Sequence, residues 1–345
     1  MAEDTEWNNA VTYETYLANA RENVEIIKAR FNDLLELLAC LQDQSYRNFE
    51  TILVTERSTE LYDKLKAHVR DQGWHNTTVL FNRGPYGLSA ARNLGIKEAR
   101  GDIITFTDDD ALPYPEWLRE IVQSFNSDDS VIGVTGPSYP LWENESMNWL
   151  PEEFYWMFSC MPDKSLDKEE VRNVWGVNMS FRREAFERCG AFSERFGIKG
   201  GGEKGWNAPG CEDTDFSMRV KSRTGKRVIF NPNVKVQHKV YCYRITNGFV
   251  ARRAYWEGYA KATLSKYYHN GNNGRKVLSR ELTLLQRIFL RLFPDIFGGF
   301  FRHPGISWRK LQITSIFLLC SAVGYLRGTM RSIGNTETAR REIEA

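Results

Sequence analysis

Short apolar runs alternate with amphipathic stretches from about residue 50 to residue 135. The runs FETILVT, TTVLFN, DIITFT and VIGVTG predict buried strands. Between them, STELYDKLKAHVRDQ, GLSAARNLGIKEA and PEWLREIVQSF have the apolar spacing of helices. Strands that alternate with helices are typical of a parallel sheet covered by helices. The pattern therefore predicts an α/β fold, in which ligands bind at the carboxyl ends of the strands.

The chain ahead of this region is less regular. DLLELLACLQDQSY, before Phe49, has the pattern of an amphipathic helix, and NVEIIKA at residues 23–29 is the one segment that could form a strand ahead of it. Residues 1–22 are polar and predict an N-terminal extension. They contain neither the basic nor the apolar segment of a signal peptide, so we expect no signal peptide.

Beyond about residue 140 the pattern changes. VWGVNMSFRREAF predicts a strand running into a helix, CEDTDFSMRVKSRTG a helix that begins among acids, and RVIFNP and VKVQHKV two more strands. IKGGGEKGWNAPG predicts a glycine-rich loop ahead of the acidic helix. LWENESMNWLPEEFYWMF interleaves aromatic and acidic residues, which suits either an acceptor groove or a flap packed over the sheet.

The C-terminal part is helical and apolar. FVARRAYWEGYAKATLSKYY predicts a helix, and two apolar stretches follow, LTLLQRIFLRLFPDIFGGFF and LQITSIFLLCSAVGYL. The run Leu311–Leu326 carries no charge, but at about 1.5 Å per residue it is shorter than the ~30 Å hydrocarbon core of a bilayer. Basic residues flank it on both sides: Arg309, Lys310, Arg327 and Arg331. We expect these stretches to lie in the membrane interface rather than to span it. The alternative is that they are core helices packed on the domain.

These patterns divide the chain into three predicted parts. They are the extension at residues 1–22, an α/β domain at 23–245 and a membrane-associating helical region at 246–345.

Composition narrows the classes of partner. The 345 residues carry a formal net charge of +2, which gives no support for nucleic-acid binding. The six cysteines are scattered without a CxxC pair. This argues against a structural zinc site and a disulfide framework, and it suits a reducing compartment.

Three consecutive carboxylates end the apolar run DIITFT. Asp108, Asp109 and Asp110 could form a solvated loop, or one of them could cap the helix that begins near Pro115. A cap needs only one carboxylate. Three of them at a strand end concentrate negative charge where a hard divalent cation, together with a substrate diphosphate, would neutralise it.

A second acidic group opens the helix in GCEDTDFSMRV. Glu212, Asp213 and Asp215 could simply cap this helix, but they also offer a carboxylate that could take a proton from an acceptor hydroxyl. His238 lies near the end of the last predicted strand. A lone histidine is more often a surface or core residue, but with a metal already suspected it is a candidate ligand.

Three segments together resemble the inverting glycosyltransferases of family 2, which have the GT-A fold. GLSAARNLGIKEARGDIITFTDDDALPYPEWL is similar to the family's small-residue helix, strand and Asp-x-Asp motif. VNMSFRREAFERCGAF is similar to its acceptor-side strand and helix, and CEDTDFSMRVKSRTGKRVIFNPNVKVQH to its Glu-Asp motif and following strands. The resemblance covers roughly residues 24–240. It implies a mixed, mostly parallel Rossmann-like sheet with helices on both faces, ahead of the C-terminal amphipathic and apolar helices.

The resemblance implies a donor and metal site. Asp108 and Asp110 match the Asp-x-Asp motif, which would hold the ribose and the metal-bound diphosphate of a nucleotide sugar, with Mn²⁺ or Mg²⁺ as the cofactor. Asp109 would be a further contact to the donor. His238 matches a position where some relatives supply another metal ligand, so the implied ligands are Asp108, Asp110 and His238.

The resemblance also implies the catalytic group. Asp213 matches the aspartate expected to deprotonate the acceptor hydroxyl, with Glu212 beside it in the motif. Direct displacement at the anomeric carbon would then invert its configuration. Arg92 belongs to the helix that faces the diphosphate. It could contact the donor or pair with a carboxylate.

The chain departs from the family's pattern at the nucleotide-base edge. NVEIIKARFN stands in place of the usual first strand and lacks its Thr-Tyr-Asn-like turn. VTERST stands where relatives carry two aspartates, so Glu56 would contact the base. The QxxRW motif of processive synthases does not occur, and ARRAYWEGYAK offers Arg252, Arg253 and Trp256 instead. A processive polymer synthase is therefore not expected.

The apolar C-terminal region suggests the acceptor. An enzyme held on the cytoplasmic face of the cell membrane would modify a lipid-linked sugar, with a UDP-sugar as the expected donor. In this it is similar to transferases that act on dolichyl- or polyprenyl-phosphate-linked sugars. The alternatives are another polysaccharide or glycolipid acceptor, or a non-catalytic, membrane-bound homologue.

Overall fold

The computed structural model describes residues 30–162, 170–197, 209–268 and 278–331. Residues 30–42 form the first helix, α1. The strands are β1 (Thr51–Glu56), β2 (Thr77–Asn82), β3 (Ile103–Thr107), β4 (Ala111–Pro113), β5 (Val131–Thr135), β6 (Ser138–Trp142), β7 (Asn178–Arg182), β8 (Arg227–Phe230) and β9 (Val236–Val240). The other helices are α2 (Thr59–Asp71), α3 (Leu88–Glu98), α4 (Trp117–Ser127), α5 (Arg183–Cys189), α6 (Glu212–Thr224), α7 (Asn247–Tyr267), α8 (Ser279–Arg287), α9 (Phe293–Gly299) and α10 (Pro304–Arg331). Short 3₁₀ helices lie at Glu145–Met147, Glu152–Phe158 and Cys242–Ile245, and a π-helical turn at Ile288–Leu292 joins α8 to α9.

Within the described residues, the apolar runs and helical patterns form the predicted strands and helices. The run TTVLFN is β2 from its first residue to its last, and α2 begins where the Ser58 side chain accepts a hydrogen bond from the amide of Leu61. The predicted strand at residues 23–29, the extension at 1–22 and residues 198–208 of the glycine-rich loop lie outside the described residues.

The strands form three hydrogen-bonded groups, in the orders β1-β2, β3-β7-β5-β8 and β4-β9-β6. The pairs β1/β2, β5/β8 and β6/β9 are parallel, whereas β3/β7, β5/β7 and β4/β9 are antiparallel. The mixed α/β fold is confirmed, but these pairs are divided evenly between the two senses. Two of the three antiparallel pairs come from β7, which follows β3 and β5 in the chain and inserts between them, and the third is β4/β9.

The core of the sheet region is built on β5 and α1. All five residues of β5 are buried, and α4 and α6 both contact this strand. Leu34, Leu37, Leu38 and Leu41 of α1 join the same apolar cluster, at the spacing of one helical face. This packing confirms the amphipathic helix predicted ahead of Phe49.

The aromatic and acidic stretch packs as a flap. Phe154 and Phe158 are buried in a second apolar cluster, which also contains Phe249 of α7, Ile296 of α9 and Phe317 of α10. The stretch therefore joins the sheet region to the C-terminal helices, and the packed alternative describes it better than an open groove.

The helices α7 and α10 approach each other closely through glycines. A Cβ atom at Gly258 would lie 2.1 Å from the backbone oxygen of Ser321, and one at Gly324 would lie 1.9 Å from that of Tyr255. Only glycine fits at these two positions. The contact attaches α10 to the rest of the protein along one face.

The other face of α10 is apolar and exposed. Among the described residues, α10 from Pro304 to Met330 is the helix long and apolar enough to cross a membrane, by length and composition alone. The helix is longer than the sequence pattern indicated, because it includes the charged residues on both sides of the charge-free run.

Candidate functional site

The acidic triplet lies between two strands. β3 ends at Thr107 and β4 begins at Ala111, so Asp108–Asp110 form the connection. β4 pairs antiparallel with β9 in a register that sets Ala111 opposite His238. The prediction that the triplet ends a strand is confirmed, and the pairing brings a histidine from 128 positions later beside it.

Asp108, Asp110 and His238 form a group that could hold a metal ion. One ligand atom from each residue lies within 4.8 Å of the others. Two carboxylate oxygens and an imidazole nitrogen suit a divalent cation such as Mn²⁺ or Mg²⁺. Asp110 and His238 are almost completely buried, whereas Asp108 is partly accessible, so a ligand could approach from the side of Asp108.

Asp110 and His238 form a charged pair. The Nε2 atom of His238 lies 3.1 Å from Oδ1 of Asp110, and Nη2 of Arg244 lies 2.5 Å from Oδ2. Burial opposes ionisation of both groups, but His238 and Arg244 hold the pKa of Asp110 well below its usual range, and Asp110 raises the pKa of His238 to about 10. A metal ion needs the neutral imidazole, so its binding would displace this proton.

Asp109 has a different partner. Nη1 of Arg30, in α1, lies 2.7 Å from both carboxylate oxygens of Asp109. Arg30 also lies 4.0 Å from Asp110. The middle residue of the triplet is thus attached to α1, and its predicted contact with a donor remains a prediction.

The second acidic motif lies at the start of α6. Its three carboxylates have different surroundings. Glu212 is buried and paired with Arg92, and Asp215 is buried, with Oδ2 3.0 Å from Arg219 and Oδ1 accepting a hydrogen bond from the Tyr268 hydroxyl. Asp213 is partly exposed, and no lysine, arginine or histidine among the described residues lies within ion-pair distance of it.

Backbone amides hold Asp213 in place. Its Oδ2 accepts a hydrogen bond from the amide of Gly176 at 3.2 Å, and its Oδ1 accepts one from the amide of Thr214 at 2.6 Å. Two such bonds, one to each oxygen, fix the orientation of the carboxylate. Among the three acids of the motif, Asp213 is therefore the one placed to accept a proton from a ligand.

Arg92 connects the two acidic motifs. Its Nη1 lies 2.7 Å from Glu212, and its Nη2 lies 3.3 Å from both Asp108 and the backbone oxygen of Gly176. Burial raises the pKa of Glu212, and Arg92 counters this shift. Of the two roles considered for Arg92, the structure shows the pairing with carboxylates.

The same contacts bring the candidate base near the candidate metal ligands. The Gly176 peptide donates to Asp213 through its N–H and accepts from Arg92 through its oxygen, and Arg92 reaches Asp108. A Cβ atom at Gly176 would lie 3.1 Å from Nη2 of Arg92, so a side chain here would push the guanidinium away by a few tenths of an ångström. One guanidinium and one peptide group thus set the spacing between the two sites.

Glu56 lies at the end of β1, the predicted base-contacting edge. Its Oε2 accepts hydrogen bonds from the amide of Gly87 at 3.0 Å and from Asn82 at 3.3 Å. One carboxylate oxygen therefore fastens the loop that leads into α3. The contact of Glu56 with a nucleotide base stays a prediction.

The sequence patterns did not identify three residues of this site. Arg30 lies on α1 and Arg244 on the 3₁₀ helix after β9. Gly176 lies on the segment before β7. Their contacts join residues far apart in the chain, such as Asp110 and Arg244, and no local spacing marks them.

Comparison with known proteins agrees with the geometry. Residues 26–190 match the model of glycosyl transferase family 2. A glucosyl-dolichyl phosphate glucuronosyltransferase from Haloferax volcanii is 28% identical over 300 residues, covering 86% of this chain and 90% of that protein. The glycosyltransferase AglE of the same organism is 27% identical over 202 residues, covering 56% of this chain and 63% of that protein.

A solved structure shares the fold. The mannosyltransferase PcManGT from Pyrobaculum calidifontis, solved with GDP-Man and Mn²⁺, superposes with a TM-score of 0.53 at 19% identity, covering 91% of this chain and 79% of that one. The chain is therefore a glycosyltransferase with the GT-A fold, and its residues 26–190 match glycosyl transferase family 2.

Proposed function

We propose that the protein transfers a sugar, with inversion, from a nucleoside diphosphate sugar to a lipid-linked acceptor at the cytoplasmic face of the membrane. The observation that carries this is the placement of Asp213 beside the Asp108, Asp110 and His238 group, through Arg92 and Gly176. In this proposal, residues 23–245 form the transferase domain and 246–345 the membrane-associating region.

Asp108, Asp110 and His238 would hold the metal ion. The chemistry that Mn²⁺ or Mg²⁺ supplies at such a site is neutralisation of the charge on the leaving diphosphate. The donor set fits this task, because oxygen ligands dominate it and Asp108 remains accessible to a diphosphate. A UDP-sugar is the proposed donor, with Glu56 at the edge where the base would lie.

Asp213 would act as the general base. Its carboxylate accepts the proton of the acceptor hydroxyl while the hydroxyl oxygen bonds to the anomeric carbon. The bond between that carbon and the diphosphate oxygen breaks on the opposite side, so the configuration inverts. The amides of Gly176 and Thr214 hold the carboxylate still during this step.

The C-terminal helices support a membrane-bound acceptor. Twelve of the fifteen large hydrophobic side chains that are exposed among the described residues lie beyond residue 280: Leu282, Leu285, Phe289, Leu290, Phe297, Phe301, Ile306, Trp308, Leu319, Val323, Leu326 and Met330. A surface of this kind marks a site for a membrane or a partner. The similarity to the glucuronosyltransferase from Haloferax volcanii, whose name includes a glucosyl-dolichyl phosphate, favours a lipid-phosphate sugar.

An interfacial position is favoured over a span. α10 is held against α7 at Gly258 and Gly324, and α7 carries the charged residues Glu257 and Lys261 at the same level. A spanning α10 would draw these charges into hydrocarbon, which is costly. Helices lying along the surface would bury the apolar face and leave the charges within the protein.

The test is a transfer assay in vesicles. Wild-type protein, Mn²⁺ and a panel of labelled nucleotide sugars are incubated with phosphatidylcholine vesicles that contain glucosyl-phosphoryl-polyprenol. We expect one donor to give a labelled lipid product whose new linkage, measured by NMR, has the opposite anomeric configuration to the donor. Transfer only to a water-soluble glycan would contradict the lipid acceptor, and no transfer from any donor would favour a non-catalytic homologue.

A further inference from the structure

A cluster of charged residues lies between α7, α8 and the segment before β7. It contains four cationic and two anionic side chains: Arg172, Arg253, Lys261, Arg280, Glu257 and Glu281. The transfer step described above uses none of them. Among the described residues of the cluster, positive charges therefore outnumber negative charges by two, and Glu257 and Lys261 are buried.

Each of the two carboxylates of the cluster already has two cationic partners. Glu281 accepts from Arg172 at 3.3 Å through one oxygen and from Lys261 at 3.0 Å through the other. Glu257 lies 2.8 Å from Arg253 and 3.2 Å from Lys261. Three of the four cations thus occupy both carboxylates.

Arg280 is the remaining cation. Among the residues that the structure describes, no carboxylate lies within ion-pair distance of it. Its guanidinium stacks on the Trp175 ring, with Cζ 5.3 Å from the ring centroid. Burial, and then the charge of Arg172, lower the pKa of Arg280 to about 10, so it stays protonated at neutral pH without a paired carboxylate among the described residues.

Arg280 is connected to the candidate base through Trp175 and Gly176. Trp175, on which it stacks, precedes Gly176, whose amide holds Asp213, and the negative charge of Asp213 acts on Arg280. Arg280 is also in the first turn of α8, and the exposed apolar residues Leu282 and Leu285 follow in the same helix. A cation close to the reacting centre therefore adjoins the start of the apolar surface.

We propose that Arg280 binds the phosphate group of the lipid-linked acceptor, while the lipid chain lies along the exposed apolar side chains of α8 and α9. A guanidinium pairs strongly with phosphate oxygens, and the stacking on Trp175 fixes its direction. Bound there, the phosphate supplies the missing anion, and the attached sugar reaches towards Asp213. This inference rests on the proposed function for the identity of the acceptor.

The test measures binding without a donor. Wild-type protein is titrated with phosphatidylcholine vesicles that contain farnesyl phosphate, with vesicles that contain the same mole fraction of phosphatidylglycerol, and with phosphatidylcholine alone. We expect farnesyl phosphate to strengthen binding, and Arg280→Gln to weaken that binding about tenfold or more, as expected for loss of a charge-assisted hydrogen bond. Binding to phosphatidylglycerol vesicles should change little.

Matched variants make the result specific. Arg287→Gln removes an exposed cation from the same helix and should bind farnesyl phosphate vesicles as the wild type does. Arg280→Lys keeps the charge but not the two-pronged geometry, and should lie between wild type and Arg280→Gln. It also provides a test if Arg280→Gln fails to fold. If each Arg280 variant that folds binds farnesyl phosphate vesicles as tightly as the wild type does, the proposal is wrong.

Two further outcomes would overturn the assignment. Equal losses on farnesyl phosphate and phosphatidylglycerol would show general attraction to an anionic surface. Weaker binding of UDP with Mn²⁺ by Arg280→Gln, with lipid binding intact, would assign Arg280 to the donor. The wild type could also transfer sugar neither to octyl glucoside, which has no phosphate, nor to glucosyl-phosphoryl-polyprenol in vesicles. That result would contradict the proposed function alone, because the binding measurement contains no donor.

Discussion

The three carboxylates of the Glu-Asp motif have different neighbours. Glu212 and Asp215 are paired with arginines inside the protein, whereas Asp213 is held by backbone amides and remains accessible. Position in the motif alone does not distinguish them. The contacts do, and they indicate which residue would exchange a proton with substrate.

At the residue scale we predict that Asp213→Asn keeps the affinity for nucleotide and metal but lowers kcat by about 10²- to 10⁴-fold, the usual contribution of a general base. Single-turnover transfer and calorimetric donor binding measure the two quantities. Asp215→Asn is the matched control in the same helical turn. It should lower the melting temperature, because Arg219 loses its partner, while donor binding and kcat stay near wild type. Unchanged transfer by Asp213→Asn would exclude it as the base.

The sequence predicts single residues of the site better than their contacts. Asp108, Asp110 and His238 follow from strand ends and from the family resemblance, and the structure brings them together. Arg244 could not be predicted in the same way, because its contact with Asp110 depends on how the chain turns after β9. Long-range pairing of this kind has no local sequence signal.

At the scale of helices and strands, the chain's periodicity predicted most elements but not their pairing. The run VNMSFR predicts a strand, and β7 is one, yet its antiparallel place between β3 and β5 is decided by packing far along the chain. Likewise the aromatic stretch could be a groove or a flap until Phe154 and Phe158 are seen in the core of the C-terminal helices.

The contact between α7 and α10 gives a prediction at this scale. Gly324→Ala places a methyl group against the backbone of Tyr255, so the helices must separate, at a cost of about 1–3 kcal/mol or more in the free energy of unfolding. Gly305→Ala, in the same helix, meets no atom within 4 Å and should leave stability unchanged or slightly higher. Thermal and urea unfolding measure the stability of the two variants. Equal stability would show that the close approach does not hold α10 in place.

The buried charges of α7 give a second prediction at the scale of helices. Glu257→Gln removes the buried carboxylate that Arg253 and Lys261 share, while Lys261 keeps Glu281, and we expect a loss of about 3 kcal/mol in the free energy of unfolding. Glu60→Gln removes an exposed pair with Lys64 and should cost about 0.5 kcal/mol or less. Urea unfolding measures the change in the free energy of unfolding for each variant. Equal changes would mean that the buried ion pairs stabilise the protein no more than the exposed pair does.

The pH dependence of this pair has a definite sign. Burial opposes ionisation of Glu257, but Lys261 and Arg253 lower its pKa to about 2, below the ordinary value of 4.5. Its stabilising contribution is therefore complete above about pH 4.5 and is lost as the pH falls towards 2. The difference in unfolding free energy between wild type and Glu257→Gln should shrink over that window. A difference that stays constant would contradict the lowered pKa.

At the scale of the whole molecule, the proposed function assigns the apolar C-terminal surface and the polar site to one reaction. The flap at Glu152–Phe158 packs against α7, α9 and α10, so the surface that would meet the membrane is rigidly joined to the sheet that carries the site. A lipid-linked acceptor could then reach the site without leaving the bilayer surface.

Introducing negative charge on the exposed apolar face of α10 tests whether this face contacts the membrane. Leu319 and Val323 of α10 are 68% and 56% exposed. Leu319→Glu with Val323→Glu should reduce vesicle binding by about a hundredfold or more, since each buried aliphatic side chain contributes about 1.5–3 kcal/mol. Gln123→Glu with Asn126→Glu adds the same charge at exposed positions of α4 and should leave sedimentation with vesicles intact. Equal binding by both double variants would place the membrane contact elsewhere.

The metal-dependent donor site is tested most directly by calorimetry with UDP, GDP and other nucleoside diphosphates, with and without Mn²⁺. We expect at least one of them to bind wild type only when Mn²⁺ is present, and Asp110→Asn to lose that binding while keeping its fold by circular dichroism. If no nucleoside diphosphate bound in a metal-dependent way, Asp108, Asp110 and His238 would not form the donor site.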